Sequence, residues 1–165
     1  MRIDFDLSQL QRLAAAFERA PQIVDEEVER FVAAATAHLQ AEVQDRTPTT
    51  HGTLRGSIIG DVRRLPGIGV EGVVGTSLSY APAVEDGTRP HMPPVAPLAA
   101  WARQKLGVTG READRAAWAI ARKIARVGTE GAHMFRDAFE ANQVQIRDGL
   151  DECLARIDAR IVGAV

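Results

Sequence analysis

Residues 47–75, TPTTHGTLRGSIIGDVRRLPGIGVEGVVG, are where the chain changes its rhythm, and their reading decides the fold class. Pro48 pushes its predecessor toward extended geometry, and Gly52 and Gly56 keep the residues around them out of helix. From about Leu54 to Gly75 the stretch is rich in Ile, Val and Gly. Ser57–Val62 and Gly69–Val74 read as two strands, joined by a turn at Leu65-Pro66-Gly67. Leu54 and Ile58 are expected to face a core, with Arg55 and Ser57 facing elsewhere. A helix stops here and a hairpin starts.

Upstream, Asp6 or Ser8 caps a first helix on which Leu10, Leu13, Ala14 and Phe17 return at helical spacing. Pro21 falls where a new helix would begin, because a proline in the first helical position loses no hydrogen bond. From there Ile23, Val24, Val28, Phe31, Val32, Ala35, Leu39 and Val43 form one apolar stripe through about residue 45. Asp25, Glu26, Glu29, Arg30 and Gln40 occupy the opposite face. This predicts a long amphipathic helix.

Downstream, Ser79–Val84 reads as a short edge strand, with Pro82 tolerated only at an edge or end. Residues 85–97 hold Pro90, Pro93, Pro94 and Pro97 and read as an extended loop, too long for a passive connector. A short helix follows Pro97, with Leu98, Trp101, Ala102 and Leu106 apolar and Gly107 as its stop. Asp114–Val127 predicts another helix, with Ala117, Trp118, Ile120, Ala121 and Ile124 inward and Gly128 breaking it. Over 133–163, Phe135, Phe139, Ile146, Leu150, Leu154, Ile157 and Ile161 keep one stripe going. Gly149 weakens its middle by about 1 kcal/mol. A helix about 45 Å long at about 1.5 Å per residue exceeds what a small domain needs, so part of it is expected to pack on a neighbouring subunit. The expectation is a single α+β domain over 1–165, in which the long N-terminal amphipathic helix and the C-terminal helices pack on a small antiparallel β-sheet.

Composition narrows the function. The formal net charge of −2 gives no global attraction to nucleic acid or anionic membranes. A single cysteine, Cys153, excludes an internal disulfide framework and a four-cysteine zinc site, and is expected to be a small buried hydrophobe. The start, Met1-Arg2-Ile3-Asp4-Phe5-Asp6, lacks the apolar run of a signal peptide, and no apolar run reaches a membrane-spanning length. His51, His91, His133 and Cys153 show no metal-ligand spacing, no nucleophile elbow is present, and Gly67-Ile68-Gly69 lacks the third glycine of a nucleotide loop. No catalytic residue, metal or cofactor is expected. One region is uneven: between Trp101 and Val127, Arg103, Lys105, Arg111, Arg115, Arg122, Lys123 and Arg126 face only Glu112 and Asp114. A solvated face, contact with an acidic neighbour and contact with DNA all remain open, although no aromatic interleaving favours the last.

Three clusters carry a family likeness. The first is Thr47-Pro48-Thr49-Thr50-His51-Gly52-Thr53-Leu54-Arg55-Gly56-Ser57-Ile58. The second is Val74-Gly75-Thr76 with Tyr80-Ala81-Pro82-Ala83-Val84-Glu85-Asp86-Gly87-Thr88-Arg89-Pro90-His91. The third is Gly131-Ala132-His133-Met134-Phe135-Arg136-Asp137-Ala138-Phe139. Their order resembles the siphophage tail-component family typified by gene product ten of phage HK ninety-seven, with which lambda minor tail protein Z is grouped by function. That family runs Thr-Pro, a short polar stretch, Gly-x-Leu-x-x-Ser, a hairpin, then Tyr-Ala, a Glu, Gly-Thr and Pro-His. The likeness spans about Val43 to Phe139, and His51 stands where the family often has an acidic residue.

The resemblance implies a virion protein of a tailed bacteriophage, made in the host cytoplasm and placed at the head–tail junction, without catalysis. By analogy it forms a homo-oligomeric ring, six- or twelvefold, against the head–tail connector or stopper and the tail terminator or tail tube. Passing contact with genomic DNA is compatible with it; a membrane is not implied. The interface residues expected are Arg55, Tyr80, Glu85, Arg89, His91 and Arg136, all within the clusters. Arg55 reads either as part of a helix-to-sheet corner or as a group reaching a partner carboxylate. Tyr80 is expected at the sheet edge with its hydroxyl satisfied. Glu85 and Arg89 are spaced to pair within a turn or across subunits, and the stiff Pro90-His91-Met92-Pro93-Pro94 run suits docking. A DNA-binding accessory protein using the basic 101–127 helices is the alternative.

Overall fold

The computed structural model describes residues 8–49 and 52–163, so the capping role of Asp6 and the place of His51 lie outside the described residues. In chain order the elements are α1 (Ser8–Arg46), α2 (Thr53–Ser57), β1 (Ile59–Leu65), β2 (Gly69–Gly75), α3 (Ala81–Glu85), β3 (Gly87–Thr88), α4 (Val95–Leu106), α5 (Gly110–Val127), β4 (Thr129–Glu130) and α6 (Met134–Val162). The class is α+β and mostly helical, with two small antiparallel sheets, β1–β2 and β3–β4. The chain forms two compact units: residues 1–41, 60–74 and 139–165, and residues 42–59 and 75–138.

In the first unit, α1 passes straight through Pro21. The expected pair of helices is therefore one. An interior proline lacks the N–H for a helical hydrogen bond and typically weighs about 3 kcal/mol against the helix. Ala16 and Ile23, seven residues apart and both buried, hold one face across that defect. Glu27 and Thr36, nine residues apart and therefore on opposite sides of the helix, are also buried, Glu27 against α6 and Thr36 against the β1–β2 hairpin. Ile23 and Val43 of the expected stripe are buried and Val24 is exposed.

The β1–β2 hairpin lies on α1 because two of its residues have no side chain to interpose. A Cβ on Gly72 would overlap Thr36 Oγ1, and one on Gly60 would come within 2.8 Å of Thr36 Cγ2. Gly60 N–H donates to Gln40 Oε1 at 2.8 Å, and Arg64 pairs with Glu29 further along. Helix α6 runs antiparallel to α1: His38 meets Asn142 at 2.8 Å, Gly149 faces Phe31, and Arg156 reaches Glu27. Gly149 thus leaves room for the Phe31 ring, from which a Cβ there would sit 3.1 Å. The buried side of α6 carries Cys153 and Ile157, whereas Phe139, Leu150 and Leu154 of the expected stripe are exposed.

In the second unit, Leu54, Ile58, Ala81 and Met134 are buried. The first strand does not begin at Ser57. That residue ends α2, where its hydroxyl donates to the Leu54 carbonyl at 2.8 Å, and β1 starts at Ile59. The expected edge strand Ser79–Val84 is instead α3, with Pro82 in its first turn, where the missing N–H costs nothing. The 85–97 loop is also shorter than expected. Gly87 and Thr88 pair with Glu130 and Thr129, and α4 begins at Val95, before Pro97. The β3–β4 contact requires glycine at 128: its φ is 77°, and a Cβ would overlap the Thr88 carbonyl oxygen. Helices α4 and α5 pack on each other, with Ala99 and Ala102 on one and Ala113, Ala117 and Ala121 on the other buried. Gly107 closes α4 in the left-handed conformation, as its position predicts.

Candidate interaction surfaces

The expected interface residues all fall in the second unit, and their environments differ. Arg55 projects from α2 and meets a carboxylate of its own chain: Nη2 lies 2.6 Å from Asp45 Oδ1, both side chains being largely exposed. An exposed pair of this kind contributes about 0–1 kcal/mol. Tyr80 precedes α3 and is exposed rather than packed at a sheet edge, because the segment after it coils into a helix.

Glu85 does not spend its carboxylate on Arg89. Its two oxygens accept the backbone N–H groups of Phe135 and Arg136, each at 3.0 Å. Its own carbonyl accepts the N–H of His133 at 3.0 Å. A helix leaves its first N–H groups without internal partners, and a carboxylate there also complements the helix dipole. Glu85 is therefore the remote cap of α6, which brings it together with Arg136. The Arg136 guanidinium itself turns to Asp137 at 3.0 Å. His91 and Arg89 are exposed and adjacent, with His91 Nδ1 2.9 Å from the Arg89 carbonyl oxygen. The His91 N–H donates to the Ile124 carbonyl at 3.4 Å, tying the proline-rich segment to α5.

Sequence reasoning missed a buried charge. Glu27 is 1% exposed on α1, yet its carboxylate accepts from Arg156 at 3.0 Å, Arg160 at 2.9 Å and Arg30 at 2.9 Å. The hydrogen bond from Arg156 holds it below the ordinary carboxylate value against the opposing effect of burial, with Arg160 and Arg30 adding to the lowering. Glu26 is lowered in the same direction, chiefly by its hydrogen bond from Arg160. The cluster joins α1 to α6 within the first unit. Its only legible trace was the pair of arginines four residues apart near the end of the chain.

The exposed apolar side chains were also misjudged. Trp118 was expected inward, but the alanines of α5 take the buried face and the indole is 49% exposed. Arg111, Arg115, Trp118 and Arg122 line one shallow depression with Asp114. On α1, Leu10, Leu13, Phe17 and Val24 are exposed at steps of three, four and seven residues, which places them along one helical face. Cys153 is buried, as expected for a small hydrophobe. Among the described residues, no group of three or more His, Cys, Asp or Glu side chains could hold a metal ion. Among the same residues, no helix is long and apolar enough to cross a membrane.

Residues 11–87 match the family model described as "Bacteriophage HK97-gp10, putative tail-component". Comparisons with curated proteins and with solved structures find no match.

Proposed function

We propose, from the premise that residues 11–87 belong to the HK97-gp10 phage tail-component family, that this chain is a ring-forming neck or tail-completion subunit joining the tail to the head connector. In this reading it is a structural virion protein of a siphovirus at the head–tail junction, assembled in the host cytoplasm. It acts by presenting surfaces and not by turning over a substrate. The observation that carries the reading is the exposed apolar row of α1, Leu10, Leu13, Phe17 and Val24. Covering what remains exposed of them gains about 25 cal/mol per Å² of apolar surface, and an apolar row on one helix face suits an assembly contact. Copies of the chain in a six- or twelvefold ring, the connector or stopper, and the tail terminator or tail tube are the partners proposed. Tyr80, Arg89 and His91 offer exposed side chains for the same assembly, while Arg55 and Arg136 are exposed but ion-paired within the chain. Glu85 takes part indirectly by fixing the start of α6. Deleting the gene should leave unjoined heads and tails, or incomplete tails, in negative-stain images of lysates. Fully infectious particles without the protein reject the reading.

One observation favours the DNA-binding alternative. Trp118 stands exposed among Arg111, Arg115 and Arg122, which supplies the aromatic interleaving that the sequence did not reveal. Binding of that kind weakens steeply with salt, because released counterions drive phosphate contacts. No retention of DNA on a filter at low salt rejects the alternative.

A further inference from the structure

Two exposed triplets on this chain share one spacing and carry opposite charge. Helix α5 presents Arg115, Trp118 and Arg122, and α6 presents Asp151, Leu154 and Asp158. Each set follows i, i+3, i+7, so each forms a straight row about 10.5 Å long on its helix. In both rows an exposed apolar side chain sits between two charges, Trp118 at 49% and Leu154 at 52% exposure. No ion pair among the described residues engages Arg115, Arg122, Asp151 or Asp158. The Arg122 Nε–H contacts only the carbonyl of Trp118 in its own helix, at 3.4 Å.

We infer that the Arg115–Trp118–Arg122 row of one copy docks on the Asp151–Leu154–Asp158 row of a second copy. The inference deepens the ring reading and rests on it. Matched spacing lets both ion pairs close in one register while Trp118 covers Leu154. Arginine and tryptophan are the side chains that most often dominate an interface centre. Each row is exposed on its own helix, and in this docking the two lie on different copies. Because it joins two different faces, it is heterologous, and a heterologous contact whose rotation closes makes a ring. A nucleic acid fits less well. Asp114 lies in the same depression as the arginines and would face a phosphate, and phosphates would leave the acidic row without a partner.

The test is a charge swap read by sedimentation velocity on the full chain, with circular dichroism to verify folding. Arg115→Glu with Arg122→Glu, and separately Asp151→Arg with Asp158→Arg, should each raise the dissociation constant for self-association by about tenfold or more. An equimolar mixture of the two variants should recover assembly, since each then finds its complement on the other. Trp118→Ala should weaken assembly without changing any charge, which keeps the inference testable if a reversal fails to fold. Wild-type assembly that is unchanged by both reversals, or a mixture that stays dissociated, overturns this interface and leaves the ring reading standing. Loss of salt-sensitive DNA retention in the arginine variant, with sedimentation unchanged, assigns the row to nucleic acid and overturns it too. A wild-type chain that stays monomeric at the highest workable concentration removes the ring reading and this inference together.

Discussion

Glu27 shows how far a single side chain can organise this protein. Its carboxylate is almost completely covered and is acceptable there because three arginines donate to it. With the folded value of Glu27 lowered, its contribution to stability is present in full above the unfolded carboxylate value of 4.5. It drains away as pH falls through the lower folded value. Glu26 acts in the same direction. Glu27→Gln should therefore lower the melting temperature at neutral pH and flatten its dependence on pH in the acid range. Melts of the two proteins should converge as Glu27 of the wild type protonates; parallel curves would show that Glu27 is not the acid-sensitive group. Glu85 works by a different route, as an acceptor for two N–H groups at the start of α6. Glu85→Ala should destabilise by about 1 kcal/mol, the usual loss of a helix cap, measured by urea unfolding. Glu85→Gln keeps an acceptor and should recover part of it. A loss confined to assembly, with unfolding unchanged, would make Glu85 a contact residue instead.

At the scale of elements, α1 is decided by its packed face and not by its local propensities. Pro21 argues for a break, and the expectation of two helices followed from it, yet the helix continues. Pro21→Ala should stabilise the protein by up to about 3 kcal/mol in denaturant unfolding, since it restores a helical N–H and removes the ring clash. No gain would mean that α1 bends or frays at that point in solution. Helix α5 teaches the complementary lesson. Its spacing and most of its inward face were legible, since Ala117 and Ala121 are buried as expected, and of the expected set Trp118 alone is exposed. Close approach of two helices favours the small residues, so Ala113, Ala117 and Ala121 turn inward and Trp118 turns out. On α6, Phe139, Leu150 and Leu154 are likewise exposed while Cys153 and Ile157 are buried.

For the whole molecule, the charge pattern supplies the clearest prediction. Self-association through exposed arginine and aspartate should weaken as salt rises, because charges separated by solvent are screened beyond about 8–10 Å at physiological ionic strength. Sedimentation at low and high salt measures this. Assembly that strengthens with salt would point to the apolar row of α1 as the dominant contact instead. The sequence alone determined the α+β class, the helical character of most of α1, α5 and α6, a hairpin within residues 57–75 and the family likeness of the central clusters. Those features depend on periodicity, proline and glycine, and these act over a few neighbouring residues. Tertiary structure alone decided that α1 continues through Pro21, that Glu27 is covered by arginines about 130 positions away, and that Glu85 caps α6. It also decided that Trp118 is presented outward. Each of those outcomes is set by the shape of a partner element distant in the chain, which local pattern does not encode.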